Sequence, residues 1–227
     1  MKLKRRTVLI IVLSWILFFA ACFLAFLKLD QMHTDRITNE KIFSSKKTKE
    51  IEQMDATDTS TQGQASVQEG ETKQEFEAIK VFMGRYYECI KKNDLESLKP
   101  MVEDFDDFKK TQEGLTQYVE EYRNLSYIQE PGATADSCII FVTYQLKIKN
   151  IDTLAPGMTP YYLIKKDNSY LICNNEDHYT KNMINARNQS LNKDEIKQLT
   201  EKINKEYEKA VQSDAKLKNF LENSQGS

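Results

Sequence analysis

Several residue types are scarce in this chain of 227 residues, and each scarcity excludes a class of protein. Seven glycines and four prolines exclude collagen-like and Pro/Gly-rich low-complexity chains. Four cysteines are too few for a disulfide scaffold, and two isolated histidines make no His-rich metal site. The sequence therefore predicts neither a metal centre nor a bound cofactor. Charged side chains are also missing from one long stretch near the N-terminus, and that stretch predicts where the protein resides.

Residues 7–27 form an apolar run without a single charged side chain. As a helix the run would be about 31 Å long, which matches the hydrocarbon core of a bilayer. Lys2, Lys4, Arg5 and Arg6 precede it, and the positive-inside rule then places the N-terminus in the cytoplasm. We expect a cytoplasmic basic tail at residues 1–6, a transmembrane helix at 7–29 that contacts the lipid bilayer through 7–27, and an extracellular remainder. The localisation is thus the cell membrane, with a single pass.

Two other interpretations of the N-terminus stay open. The sequence Phe-Ala-Ala-Cys that ends at Cys22 resembles a bacterial lipoprotein processing site, in which Cys22 would carry the lipid. Simple cleavage as a secretory signal is the second alternative, although the apolar run continues beyond the small residues to Leu27. All three interpretations leave the rest of the chain outside the cytoplasm.

The part of the chain after Lys28 is acidic. Five of the 32 basic residues lie at or before Lys28, so the remainder carries 27 basic and 34 acidic groups, a net charge of −7. An acidic exterior disfavours nucleic acid as a partner. Cys89, Cys138 and Cys173 each have apolar neighbours in the sequence, and we interpret them as buried thiols. The alternative is one disulfide and one free thiol.

Residues 30–71 are expected to form a flexible stalk, because the section 55–72 has no aromatic residue and one bulky aliphatic residue, Val67. A folded domain is expected at 72–182. Its first helix should begin at a capping box formed by Thr72 and Glu75, and Ile79, Met83 and Tyr86 continue one apolar face.

Two more helices and a group of strands should complete this domain. Asp94 is a plausible cap for a short helix that Pro100 interrupts, and a third helix is expected at 108–122. The apolar period then changes to two at residues 138–148, which predicts a long strand. Strands at 125–129, 161–165 and 170–174 follow from the same signals, and residues 151–160 are expected to be a loop. The predicted class is α+β, with helices packed on a curved antiparallel sheet.

Residues 82–98, FMGRYYECIKKNDLESL, resemble the aromatic-rich first helix, polar turn and short second helix of the nuclear transport factor 2-like superfamily. The likeness covers about residues 74–180. It implies a cystatin-like cone of curved sheet closed by helices, which in many members encloses a pocket. Some members are isomerases or hydrolases, and many have only binding or scaffolding roles.

The resemblance makes a set of tyrosines the candidate pocket lining: Tyr86, Tyr118, Tyr122, Tyr144, Tyr161 and Tyr170. Convergent phenols would suit a small or peptidic ligand. In the alternative interpretation these rings fill the core and place their hydroxyls at its rim.

An amphipathic C-terminal helix is expected at residues 190–223. Asn192 and Glu195 have the spacing of a capping box, which predicts that the helix starts there. One apolar face of this helix is formed by Ile196, Leu199, Ile203 and Tyr207. This face could pack on the protein's own domain, or it could bind another membrane protein or a second copy of the chain. The third alternative is a loose tail.

The predicted function is a membrane-anchored, extracytoplasmic, non-enzymatic binding or scaffolding module without catalytic residues. Its layout of basic tail, single span and exterior domain resembles an assembly subunit of type IV secretion and conjugation machines. The alternative is a tethered enzyme acting on a small molecule in the cone, which would require an inward-facing carboxylate or histidine beside a proton donor.

Overall fold

A computed structural model describes the main chain of residues 62–225 and the side chains of residues 73–222. The predicted basic tail, the predicted transmembrane helix and most of the predicted stalk lie outside these residues. Within them, none of the helices has the length and apolar character needed to cross a bilayer. The predicted α+β class is confirmed: helices pack on a four-stranded antiparallel sheet.

The helices and strands follow one another in this order: α1 Gln62–Lys92, α2 Leu95–Leu98, a 3₁₀ turn Lys99–Met101, α3 Phe105–Leu115, β1 Val119–Pro131, β2 Ser137–Ile148, β3 Ala155–Lys166, β4 Ser169–Cys173, a 3₁₀ turn Glu176–His178, α4 Lys181–Leu191, α5 Asp194–Ser213 and α6 Ala215–Gln225.

Helix α1 begins ten residues earlier than the capping pattern at Thr72 predicts, so residues 62–71 of the predicted stalk are helical. Its predicted apolar face is correct, because Ile79, Met83 and Tyr86 are buried in the core. The helix ends at Asn93, whose φ of 53° is left-handed. The amide of Asn93 donates to the carbonyl of Ile90 (3.0 Å) and that of Asp94 to Cys89 (2.9 Å), the bond pattern of a Schellman cap.

The short second helix and its cap are confirmed. Asp94 accepts a hydrogen bond from the Ser97 amide at 3.1 Å, and Pro100 lies in the 3₁₀ turn that ends this helix. The third helix is only partly as predicted. It starts at Phe105, where the Asp104 carboxylate accepts from the Asp107 amide, and it ends at Leu115.

The prediction that the third helix continues to Tyr122 is wrong. Val119 and Tyr122 belong to β1 and pair with Ile148 and Leu146 of β2. The helical spacing of these apolar residues is overridden by a partner strand that is distant in the sequence.

The sheet is a meander in the order β1-β2-β3-β4, and the predicted hairpin between β3 and β4 is confirmed. Residues 155–160, predicted as loop, are instead the first half of β3 and pair with β2. Pro156 and Pro160 are tolerated there because β4 pairs with β3 only from Tyr162 onward, so the proline-containing half has a free side.

Both faces of the sheet are covered by helices. Ile140 and Val142 of β2 lie in the core formed with α1, α2 and α3. Their neighbours Ile139 and Phe141 point to the opposite face and are buried with Ile196 of α5. The side chains of β2 therefore alternate between the two faces of the sheet, and helices cover the second face as well as the first.

The prediction of a single C-terminal helix at 190–223 is wrong, because three helices occupy this region. Helix α4, which the sequence analysis missed, ends at Asn192, so Asn192 closes α4 instead of opening the next helix. Helix α5 ends at Ser213, and the Asp214 carboxylate caps α6 by accepting from the Lys216 amide at 2.7 Å. Leu217 and Leu221 of α6 are buried beside the end of β2 and the start of β3.

Candidate functional site

Four of the six predicted tyrosines converge between α1 and the sheet. Tyr86 and Tyr161 have ring centroids 5.7 Å apart, and the rings of Tyr122 and Tyr144 are 5.0 Å apart. Tyr87, which the sequence analysis did not select, joins the two pairs at 5.0 Å from Tyr122 and 6.2 Å from Tyr161. We call these five residues the tyrosine cluster.

The rings of the tyrosine cluster pack mostly edge to face, the geometry that aromatic quadrupoles favour. The hydroxyls of Tyr87 and Tyr161 are hydrogen-bonded at 2.9 Å, and the Tyr144 hydroxyl is 3.1 Å from that of Thr159. Burial raises the pKa of every phenol in the cluster, because the phenolate would lose its hydration. This arrangement fits the alternative in which the rings fill the core.

A close approach in β3 lets the cluster pack. A Cβ atom on Gly157 would lie 2.5 Å from the Tyr144 ring, so the close approach of this ring to β3 requires glycine. The other two predicted residues lie elsewhere: Tyr170 packs on Phe82 (5.7 Å) and Tyr118 on Phe220 of α6 (5.6 Å).

An open groove of about 740 Å³ lies at the end of the sheet where β1 turns into β2. Its first wall is the part of α1 that contains Lys73, Glu75 and Phe76, and its floor includes Cys138, Leu163 and Tyr170 of the sheet. The groove continues past five consecutive residues of β1, Tyr127 to Pro131, and reaches Glu195 of α5. We call it the sheet-end groove, and its volume is in the range of small-ligand sites.

The rim of the sheet-end groove is the turn between β1 and β2, which is held by several hydrogen bonds. The Tyr162 hydroxyl accepts from the Ala133 amide at 2.7 Å and lies 3.0 Å from the Ser137 hydroxyl. A Cβ atom on Gly132 would be 2.3 Å from the Ser137 Oγ, so this position requires glycine. The rim is thus anchored to Tyr162 of β3.

Two ion pairs border the groove. Glu75 of α1 pairs with Lys165 of β3 at 3.2 Å, across the groove, and both side chains are partly exposed. Among the side chains of residues 73–222, Glu130 is the one charged residue that is buried, and its carboxylate lies 2.5 Å from the Lys193 ammonium. This contact is an ion pair without hydrogen-bond geometry at Oε2.

The Cys138 thiol lines the groove. Burial, with a contribution from the Glu75 carboxylate, raises the pKa of the Cys138 thiol to about 12, so the thiol stays protonated near neutral pH. Among the side chains of residues 73–222, no group of three or more His, Cys, Asp or Glu is arranged to hold a metal ion. The three cysteines of this part of the chain are free and buried, as interpreted from the sequence.

The two edges of the sheet differ. The outer edge of β4 is partly occupied, since Val102 forms a parallel bridge with Ile172 and the Glu103 amide donates to the Ile172 carbonyl at 2.9 Å. In the described part of the chain, β1 has β2 as its one neighbour in the sheet. Tyr127 to Pro131 of this edge strand all line the groove, and because successive side chains of a strand point to opposite faces, the groove runs along the strand.

A second, shallow pocket of about 370 Å³ lies on α4, where Asn185, Asn188, Gln189 and Asn192 share one helix face. Lys193, which also lines this pocket, pairs with Glu130 of the sheet-end groove, so the pocket and the groove are neighbours.

The predicted partner-binding face of the C-terminal helix packs at least partly within the chain. Ile196 is only 1% exposed, among Ile139, Phe141 and Tyr162, and Tyr207 packs against the cluster that contains Leu217. Leu199 and Ile203 are half-buried. Binding of a partner through Ile196 would require α5 to leave the sheet.

The sequence analysis missed the sheet-end groove, because its walls come from α1, the first hairpin, β3, β4 and α5. The one local signal was the pair Pro131-Gly132, which marked the turn at its rim. Comparisons with protein-family models, curated proteins and solved structures found no match to this chain.

Proposed function

We propose that this protein is a membrane-anchored, single-pass, extracytoplasmic binding or scaffolding module without enzymatic activity. The anchor is the uncharged apolar run at residues 7–27, and the basic residues before it favour a cytoplasmic N-terminus. The acidic body then lies outside the cytoplasm. The proposal includes both the N-terminal membrane anchor and the binding of a partner outside the cytoplasm.

We further propose that the body is a variant of the nuclear transport factor 2-like fold. Three helices followed by an antiparallel meander, with α1 packed on one face, support this assignment. The covering of the second face by α4, α5 and α6 would be a departure from a simple cone.

The sheet-end groove is the observation that carries the binding role. The tyrosine cluster is packed, with the Tyr87 and Tyr161 hydroxyls bonded to each other, whereas the groove is open and bordered by a hydrogen-bonded rim and by charges of both signs. A rigid concave surface of this kind lets a partner bind without a large ordering cost.

The location is tested with the full chain carrying a reporter at its C-terminus that is active only outside the cytoplasm. We expect reporter activity, and sedimentation of the protein with membranes that persists in high salt. The matched variant replaces Lys2, Lys4, Arg5 and Arg6 by glutamate, which should reduce export because it removes the orienting charges.

A Cys22→Ser variant separates the anchor types. An uncleaved signal anchor predicts an unchanged mass and unchanged membrane attachment, whereas a lipoprotein would lose its lipid label and its processing. Recovery of the intact chain in the soluble cytosolic fraction would overturn the proposal. Crosslinking in intact cells, followed by copurification of other membrane proteins, tests the scaffolding role.

A further inference from the structure

We propose that the sheet-end groove binds an extended, basic peptide segment of a partner protein by adding it as a strand to the outer edge of β1. This inference rests on the proposed binding role and names the class of partner. The occupant is a chain in β conformation whose lysine or arginine side chains face the carboxylates of the groove.

The edge of β1 supplies the geometry. From Ser126 to Pro131 its register with β2 is regular, whereas a register shift precedes Ser126 and Asn124 has a left-handed φ of 54°. The regular part covers about 20 Å at the usual rise per residue. Its end is set by Pro131, which has no amide hydrogen. An added strand gains affinity from main-chain hydrogen bonds to such an edge.

The charges of the groove determine the sign of the partner. Glu75, Glu130, Asp136 and Glu195 line it against Lys73 and Lys165, a net charge of −2. Lys193, which pairs with Glu130, lowers the excess to −1. Asp136 in the β1–β2 turn and Glu195 of α5 are exposed and line the groove, so a basic strand in the groove would have carboxylates to face.

The aromatic side chains of the groove fit the same partner. Tyr127 of β1 lines it and is only half-buried. Its ring face attracts cations and also packs on the aliphatic stems of lysine and arginine. Phe76, on the α1 wall, already has the Lys80 ammonium 5.0 Å from its ring centroid.

The test uses the purified full chain in detergent and a capped nonapeptide that alternates valine with lysine. We expect saturable binding, and slower hydrogen exchange of the main-chain amides of residues 126–130 when the peptide is bound. A peptide with glutamate in place of lysine should bind at least about tenfold more weakly. A lysine peptide N-methylated along its backbone should also bind at least about tenfold more weakly, because it cannot donate main-chain hydrogen bonds.

The protein variant is Asp136→Asn with Glu195→Gln, which removes two exposed carboxylates and leaves the main chain unchanged. Loss of two charge interactions of ordinary surface strength should weaken peptide binding about fivefold. The matched control is Glu201→Gln with Glu208→Gln, two exposed carboxylates of α5 that do not line the groove. The control should bind the peptide as the unmodified chain does.

Three results would overturn the inference. The first is equal binding of the N-methylated peptide, and the second is exchange protection confined to the pocket on α4. The third is protection of residues 126–130 without peptide that grows with protein concentration, which would identify a second copy of the chain as the occupant. None of these results bears on membrane location, so failure here is distinguishable from failure of the proposed anchor.

Discussion

Replacement of Ile196 by alanine tests whether the C-terminal helices are an integral layer of this domain. Ile196 is 1% exposed and packs on Ile139, Phe141 and Tyr162 across the second face of the sheet. The substitution removes three buried carbon atoms, about 2.4 kcal/mol of transfer free energy at about 0.8 kcal/mol each. The residual cavity adds roughly another 1 kcal/mol, so the free energy of unfolding should fall by about 3 kcal/mol.

The assay is urea unfolding of the full chain in detergent, followed by circular dichroism. With an m-value of about 2 kcal/mol/M, the midpoint should fall by about 1.5 M. The matched control is Ile184→Ala on α4, where the isoleucine is 38% exposed. Both changes replace isoleucine by alanine in a helix, so the propensity effect cancels and the control should cost less than about 1 kcal/mol.

A loss at Ile196 no larger than that at Ile184 would refute the docking of α5 on the sheet. A loss that depends on protein concentration would show that Ile196 is buried between two copies of the chain. Because docking within one chain is unimolecular, the structure predicts a midpoint that is independent of concentration.

Three further predictions concern the tyrosine cluster and the rim of the groove. Tyr87→Phe should lower the free energy of unfolding by about 1 kcal/mol, since it removes the hydrogen bond to Tyr161, and an unchanged urea midpoint would contradict that bond. The raised pKa values of the tyrosine cluster predict that their contribution to stability is complete below about pH 10 and is lost as the pH rises above it, because the unfolded chain releases its phenolic protons first. Spectrophotometric titration should show phenolate appearing together with unfolding. Ionisation of these phenols in the folded protein would contradict their burial. Gly132→Ala should lower the free energy of unfolding by about 1–3 kcal/mol, because the added Cβ would collide with Ser137. Gly84→Ala should not be destabilising, because a Cβ there would meet nothing within 4 Å. Thermal melts of the two variants compare their stabilities.

The elements predicted correctly have signals that lie close together in the sequence. Each of these signals lies within a short stretch of sequence. They are the apolar face of α1, the Asp94 cap, the alternation in β2 and the turn after Lys166. The errors occur where a distant partner competes with a local pattern. Tyr122 has helical spacing from Tyr118 and Val119, yet it pairs with Leu146 in the sheet.

The C-terminal region shows the same competition. Asn192 could open one helix or close another, and the local sequence permits both roles. Packing of Met183, Ala186 and Leu191 of α4 against the cluster that contains Ile139 and Phe141 decides in favour of closing. Asp214 similarly interrupts an otherwise continuous helical pattern, because the turn lets Leu217 and Leu221 of α6 be buried beside Ile148.

The sequence by itself determined the apolar N-terminal run, the acidic remainder, the α+β class and the tyrosine-rich character of the core. Composition and short-range periodicity carry that information, since both follow from side chains read along one segment. Tertiary structure alone decided which tyrosines meet, which faces of the sheet are covered and where a groove opens. These features join residues such as Glu75 and Lys165, whose separation along the chain leaves no local pattern, and only the packing of α1 on the sheet brings them to 3.2 Å.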